Sequence, residues 1–371
     1  MISLSDIMNL KELDSMINLK YVASKHHPTL PYRILNYTEK ASGDYVWNNT
    51  TETCRGLIVD DNDNIVARPF RKFFNYSEIV ASGKECLIPT DEEFTIFDKL
   101  DGCLGILFYT PSGELDVATR GSMTSPHSEW AADYIRKNLS DKQKVDLRDM
   151  VCDYLDGRYR QKITLCFEII YKGEKHIVNY GDKESVTLLA VLDNDTGSDL
   201  PLHPYDNFFE TPETFDCDWK DVKTVFPRQN AEGFVIKFEN GFRMKIKYDE
   251  FLNKQKTIIG LTPGKIFKAV SQRNLSSVVP YLSELDEETR LYVKSQIKEL
   301  LNIYLDVEFD ALLRYKDFDS DKEAAEYFKK QEMPSVLFCA RKGQDYSKII
   351  WKAVKNKIKE RQTFEEEETD F

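Results

Sequence analysis

The chain has no run of about 18 unbroken apolar residues, the length a helix needs to cross a bilayer, so no membrane partner is expected. Its seven cysteines form no CxxC pair and its five histidines no Cys/His cluster, which argues against a zinc site. An odd number of thiols also suits no disulfide framework and points to a reduced compartment. Positive charge is in deficit: 51 Lys and Arg stand against 63 Asp and Glu, a net charge of −12. That balance excludes a surface coated for sequence-independent phosphate binding, while leaving room for a local basic groove. The opening stretch MISLSDIMNLKELDSM mixes charged with apolar residues instead of building a signal-peptide core, so a cytoplasmic address is expected. The acidic end FEEEETDF, Phe364 to Phe371, reads as a frayed, solvated terminus.

What is present is ample apolar material, 41% of 371 residues, enough for two domains. From Tyr32 to Tyr248 short β-type runs recur: GLIVD, EFTIFDK, LGILFY, LDVAT, ITLCFEIIY, VTLLAVLD, EGFVIKF and FRMKIKY. Turn residues in TPSGE (Thr110 to Glu114) and ENG (Glu239 to Gly241) predict hairpins. Helices are predicted over Ser125–Leu139, with Ser125 as cap and Pro126 in the first turn, and over Asp141–Leu155. After Phe251 the period becomes helical. Val293, Ile297, Leu300, Leu301 and Tyr304 share one face, and Ile349, Ile350, Ala353, Val354 and Ile358 another. The expected architecture is α+β: a domain of mostly antiparallel sheet over residues 1–250, then an all-helical domain over 251–371.

The stretch FDKLDGCLGI places Lys99 at the end of a β-run, with Asp101 and Gly102 expected to make a tight turn into the next strand. Alone, KxDG reads as a surface lysine in an Asp-Gly hairpin. Other candidates follow in order on neighbouring runs. Arg55, Arg68, Arg71 and Lys72 lie in TCRGLIVDDNDNIVARPFRKFFNYSE upstream; Glu168 lies among apolar residues in LCFEIIY; Glu232 precedes Gly233 in AEGFVIKF. In FRMKIKY, strand alternation puts Arg243, Lys245 and Lys247 on one face and Phe242, Met244, Ile246 and Tyr248 on the other. Alternation alone allows a solvated outer face there. Each carboxylate could equally be an ordinary strand-edge charge, although Glu168 among apolar neighbours could also be a buried acceptor with a fixed partner.

In that order and spacing the residues resemble the covalent nucleotidyltransferases of the polynucleotide ligase and RNA-capping superfamily, and most closely the phage-type RNA ligase 1 family. YRILNY, CRG, RPFRKFFN and TRGSM support the narrower resemblance, which covers about Tyr32 to Tyr248. It implies an antiparallel-sheet, ATP-grasp-like ligase fold and an ATP-dependent RNA ligase that passes through lysyl-AMP and RNA-adenylate. Lys99 would be the nucleophile. Lys245 and Lys247 would contact the α-phosphate, Glu168 the ribose hydroxyls, and Glu232 would sit near the reacting lysine and the metal. Tyr37, Arg55, Lys72 and Gly102 complete the implied nucleotide site. Mg²⁺, with Mn²⁺ as an alternative, would be held mostly by phosphate and water, with Glu168 and Glu232 approached through water. The implied partner is RNA with 5′-phosphate and 3′-hydroxyl ends, including nicked tRNA in RNA or tRNA repair. A monomer is expected, working in a host cytoplasm if phage-encoded.

Because a lysine attacks phosphorus only as a neutral amine, nearby cations are expected to depress the Lys99 pKa. Relatives often carry a lysine-rich stretch where this chain has VATRGSM. Ala118 stands near a basic position and Arg120 alone keeps a charge for RNA-end contacts. A capping guanylyltransferase or DNA ligase would share KxDG but would normally add a β-rich OB domain. A catalytically inactive RNA-binding module would be expected to have lost the lysine or its carboxylates.

Overall fold

Where apolar residues alternate on both sides of a run, the strands are covered on both faces. A four-stranded antiparallel sheet runs β1 (Val22–His26), β2 (Tyr32–Tyr37), β3 (Arg55–Asp60), β4 (Ile65–Ala67). Leu35, Leu57 and Val59 bury one face beneath the helix Leu10–Asn18, in a cluster with Leu4 and Leu13. Ile34 and Ile58 bury the other with Ile106, Phe108 and Cys166. The structure, a computed structural model, describes residues 2–172, 176–222, 228–260, 263–274 and 287–365. The acidic terminus lies outside the described residues from 366 onward.

Two five-stranded sheets build the rest of this unit. One has the order β14 (Thr214–Phe215), β6 (Phe94–Lys99), β15 (Gly233–Phe238), β16 (Arg243–Lys247), β5 (Phe74–Asn75), antiparallel except for its last pair. The other has the order β13 (Asp199–Leu200), β12 (Ser185–Asp193), β11 (Ile163–Ile170), β7 (Cys103–Tyr109), β8 (Leu115–Thr119), antiparallel throughout. β7 and β8 are joined by the TPSGE turn, and β15 and β16 by ENG, as the turn residues predict. A separate two-stranded hairpin, β9 (Cys152–Leu155) and β10 (Arg158–Gln161), is tied to β7 through Gln161.

The helix Pro126–Asn138 has the predicted cap, with the Ser125 hydroxyl accepting from the Ser128 N–H at 3.2 Å. The next helix stops at Val151 instead of Leu155. Asp156 and Gly157 both have positive φ, the mirror-image turn that Asp-Gly favours, and it draws Cys152–Leu155 into β9.

The larger correction concerns Lys99. β6 and β7 do not form a hairpin; they belong to different sheets, and residues 100–102 cross from one to the other. The Asp-Gly pair makes no hairpin turn because its backbone donors go elsewhere, to Tyr180 and Glu168. Lys99 is therefore presented where the two sheets meet.

The chain divides into two compact units, Met1–Phe251 and Leu252–Phe371. Among the described residues the second holds helices only: the end of Asp249–Gly260, then Pro263–Ser271, Glu287–Leu312, Asp321–Phe328, Pro334–Arg341 and Ser347–Glu365. The predicted stripe of the last helix is its packed face, with Ile350 and Val354 fully buried and Ile349, Ala353 and Ile358 against them. Lys348, Lys352, Lys355 and Lys357 are exposed, whereas the side chains of Lys359 and Arg361 lie outside the described residues. In Glu287–Leu312 the buried face continues from Val293 through Ile303 and Val307, and Leu301, expected inside, is 43% exposed. At about 100° per residue Leu301 lies at the edge of the predicted stripe, on the side away from Ile303 and Val307.

Candidate active site

The register of three adjacent strands assembles the centre. Gly233 pairs with Lys99 on one side and with Lys247 on the other, so Glu232, one residue earlier, stands between two lysines. Its Oε2 accepts from Lys99 Nζ at 2.6 Å and its Oε1 pairs with Lys247 Nζ at 2.9 Å. Only glycine fits next in sequence. Gly233 has φ +147°, and a Cβ there would press into the backbone of Ile246 and Lys247. On β16 the predicted alternation holds: Met244 is fully buried with Ile246, Phe242 and Tyr248 packed nearby, and Lys245 and Lys247 face the site. Arg243, on the same face, pairs with Asp199 and lies 5.4 Å from the Phe70 ring.

The second sheet supplies Glu168, on β11 opposite Leu104. It is a half-buried acceptor with a fixed partner, taking the Gly102 N–H at 2.9 Å. A Cβ on Gly102 would run into the Ile169 carbonyl and the Glu168 side chain, so the close approach of the turn to β11 requires glycine. The two aspartates flanking Lys99 have separate partners. Asp98 binds Arg228 at 2.9 Å, while Asp101 accepts from the Ile177 and Val178 amides at 2.6 and 2.9 Å.

The first sheet brings a cationic cluster. Tyr37 ends β2 and Arg55 begins β3, and the Arg120 guanidinium donates to the Tyr37 hydroxyl at 2.9 Å. Lys72 lies 5.2 Å from the Trp47 ring and 5.0 Å from Phe74; Arg55 lies 4.8 Å from Phe70 and Lys245 lies 5.5 Å from Phe73. Aromatic faces are the main neighbours of these cations, and Nη1 of Arg55 is buried without a hydrogen-bond partner. Arg68 and Arg71 do not join them. Arg68 donates to the Asn194 and Asp195 carbonyls, and Arg71 pairs with Glu52 at 2.9 Å. Ala118 is fully buried in the apolar cluster with Ile106 and Cys166, where no charge could be carried.

Charge and burial divide these groups sharply. Burial opposes the Lys99 ammonium, but Glu232, Glu168 and Asp101 outweigh it and hold its pKa above the ordinary value. This corrects the expectation of a depressed nucleophile: carboxylates, not cations, are its nearest partners. The depressed lysines are its neighbours: burial lowers Lys72, and burial with Lys72, Lys99, Arg55 and Lys247 around it pushes Lys245 well down. Burial pushes Glu168 up to about 7, with Lys99 opposing and Glu232 adding to the rise. Glu232 resists burial because its two lysines keep its pKa low. Burial also works against the Tyr37 phenolate, yet Arg120, Arg55 and Lys72 together bring its pKa down.

A half-buried cluster of cations whose main neighbours are aromatic rings calls for an anion with several oxygens, and a triphosphate meets that demand. Among the described residues no group of three His, Cys, Asp or Glu assembles. The carboxylate oxygens of Glu168 and Glu232 are of the kind a hard divalent cation takes, alongside water and phosphate.

A family model described as RNA ligase matches residues 53–257, more than half of the chain. The chain belongs to the RNA ligase family. The matched span holds Arg55, Lys72, Lys99, Arg120, Glu168, Glu232, Lys245 and Lys247, with Tyr37 just upstream. No curated protein matches the sequence. Among solved structures, an archaeal ATP-dependent RNA ligase is similar at 13% identity, covering 95% of this chain and 96% of that one, with a TM-score of 0.47. A provisionally assigned ATP-dependent DNA ligase from Aquifex aeolicus is similar at 12% identity, 87% and 89% coverage, TM-score 0.46. Naegleria gruberi RNA ligase with PPi is similar at 16% identity and TM-score 0.38; 50% of this chain is covered, and it spans only 57% of that ligase.

Sequence reasoning missed the aromatic walls, Trp47, Phe70, Phe73 and Phe74. For the three phenylalanines the signal was available in RPFRKFFN, where aromatics interleave with cations. Tyr180 carried no such signal.

Proposed function

We propose that this RNA ligase joins RNA 5′-phosphate and 3′-hydroxyl ends by three in-line transfers driven by ATP. The observation that carries the reading is the Lys99–Glu232–Lys247 constellation, set by strand register beside Lys245 and enclosed in the family-matched span. In the first transfer the Lys99 amine attacks the α-phosphorus, an N–P bond forms and pyrophosphate leaves. Lys99 must first lose a proton, and Glu232 at 2.6 Å is within reach to take it. Lys245 and Lys247 lie where negative charge grows on the α-phosphate and leaving group. In the second transfer an oxygen of the RNA 5′-phosphate attacks the same phosphorus, the N–P bond breaks and Lys99 regains its proton. In the third the RNA 3′-hydroxyl, losing its proton, attacks the 5′-phosphate and AMP departs.

Arg55, Lys72 and Arg120 would bind phosphate oxygens beside Tyr37, and Glu168 would accept from the ribose hydroxyls. A divalent cation, Mg²⁺ or Mn²⁺, held through water by Glu168 and Glu232, would supply charge balance for the triphosphate. The exposed Lys348, Lys352, Lys355 and Lys357 would contact the backbone of a structured RNA such as a nicked tRNA. The helices after Phe251 do not match the β-rich OB domain of capping enzymes and DNA ligases. The test is covalent labelling: with a divalent cation and labelled ATP or GTP, the chain should acquire acid-labile label from ATP only, and only through Lys99. Label from GTP alone would move the assignment to capping.

A further inference from the structure

The β6–β15 ladder ends at the reacting groups. Lys99 is the last residue of β6 and Glu232 precedes the first of β15, so the β6–β15 pairing does not reach residues 100–102 and 230–232. Gly102 is held by Glu168 and the Glu232 carbonyl by the Tyr248 N–H, and one short segment between β11 and β12 bonds to both stretches. The Asp101 N–H donates to the Tyr180 hydroxyl at 2.7 Å, and the Asp101 carboxylate accepts from the Ile177 and Val178 amides. One residue from that contact, the Asn179 N–H donates to Asn230 Oδ1 at 2.7 Å, and Asn230 Nδ2 returns a bond to the Asn179 carbonyl at 2.8 Å. Asn230 sits at φ +52°, a conformation asparagine tolerates, two residues before Glu232. Four consecutive residues thus make five hydrogen bonds, three to the Lys99 turn and two to the Glu232 turn.

We propose that Ile177–Tyr180 is a brace that sets the spacing of Lys99 and Glu232, with Tyr180 and Asn230 as positioning residues for the first transfer. The proposal rests on the ligase reading above. It follows from where the bonds fall. Neither residue need touch substrate, yet each fixes one side of the pair between which the proton moves. Displacing a reacting group by about 1 Å can cost on the order of 10²-fold in rate, so a loosened turn shows at the chemical step before it shows in binding. The third transfer does not use the Lys99 amine, so it should be insensitive to the brace.

The test compares wild type, Tyr180→Phe and Asn230→Gly, the glycine chosen because it keeps the positive φ. Three quantities are read: single-turnover lysyl-AMP formation against ATP concentration, sealing of pre-adenylated RNA, and thermal melting. The expected result is a loss of about 10-fold in the limiting rate of lysyl-AMP formation in each variant, with the ATP KM and sealing of pre-adenylated RNA within about twofold of wild type. Equal labelling by wild type and both variants overturns the brace alone. So does a loss shared by pre-adenylated RNA, or one that tracks a fall in melting temperature in both variants. A wild-type chain that forms no lysyl-AMP overturns the ligase reading and the brace with it.

Discussion

Lys245→Met should make the protein more stable and a poorer enzyme. Methionine keeps the length of the side chain and removes the amine, whose ammonium form suffers from burial and from Lys72, Lys99, Arg55 and Lys247. Replacing poorly compensated buried charge by an apolar group of similar volume is often stabilising by about 1–4 kcal/mol. The Phe73 ring 5.5 Å away gives back roughly 0.5–1 kcal/mol of cation–π attraction that the variant forfeits. A net gain of about 1 kcal/mol raises the melting temperature by about 2–4 °C in a unit of this size. The gain has a definite pH dependence. A lysine with a depressed folded-state pKa binds fewer protons folded than unfolded, so wild-type stability rises with pH toward the unfolded value near 10.4. The advantage of the variant is therefore greatest at neutral pH and shrinks as pH rises. Lysyl-AMP formation should fall by roughly 10²-fold or more, the scale of a lost charge-stabilising contact. Melting curves at several pH values and single-turnover labelling read both effects. A variant that melts lower at pH 7, or that adenylylates at a near-normal rate, would refute the placement of Lys245 as an uncompensated cation at the α-phosphate.

Glu168, raised to about 7 from an unfolded 4.5, binds more protons folded than unfolded between those values. Wild-type stability should fall across that window as pH rises, and the melting-temperature difference between Glu168→Gln and wild type should grow from pH 4.5 to 7 and then level off; a flat difference contradicts the assignment. Reversing Lys348, Lys352 and Lys355 to glutamate should leave lysyl-AMP formation within about twofold and weaken sealing of a nicked stem-loop more than joining of unstructured RNA, with a shallower salt dependence. Equal effects on both RNAs would return that helix to a merely solvated face.

Much of the site was legible because its residues sit in ordered strands. Alternation in FRMKIKY correctly separated Lys245 and Lys247 from Met244 and Ile246, and the turn residues of TPSGE and ENG located two hairpins. What the sequence concealed was long-range. KxDG reads as a hairpin because Asp-Gly usually makes one, and only the tertiary partners of the Asp101 and Gly102 amides, 79 and 66 residues away, reveal a crossing between sheets. The protonation of Lys99 was misjudged for the same reason. Cations and carboxylates were both visible in the sequence, but the register that puts Glu232 between Lys99 and Lys247 was not. Asp156-Gly157, by contrast, was a local signal that helix periodicity overrode.

Covalent labelling of the wild-type chain and of Lys99→Ala tests the central claim most directly. With labelled ATP and a divalent cation, wild type should retain acid-labile label after denaturation, release it as AMP when 5′-phosphorylated RNA is added, and show none from GTP. Lys99→Ala should take up no label while still sealing pre-adenylated RNA. Undiminished label in Lys99→Ala would contradict the assignment of Lys99 as the nucleophile.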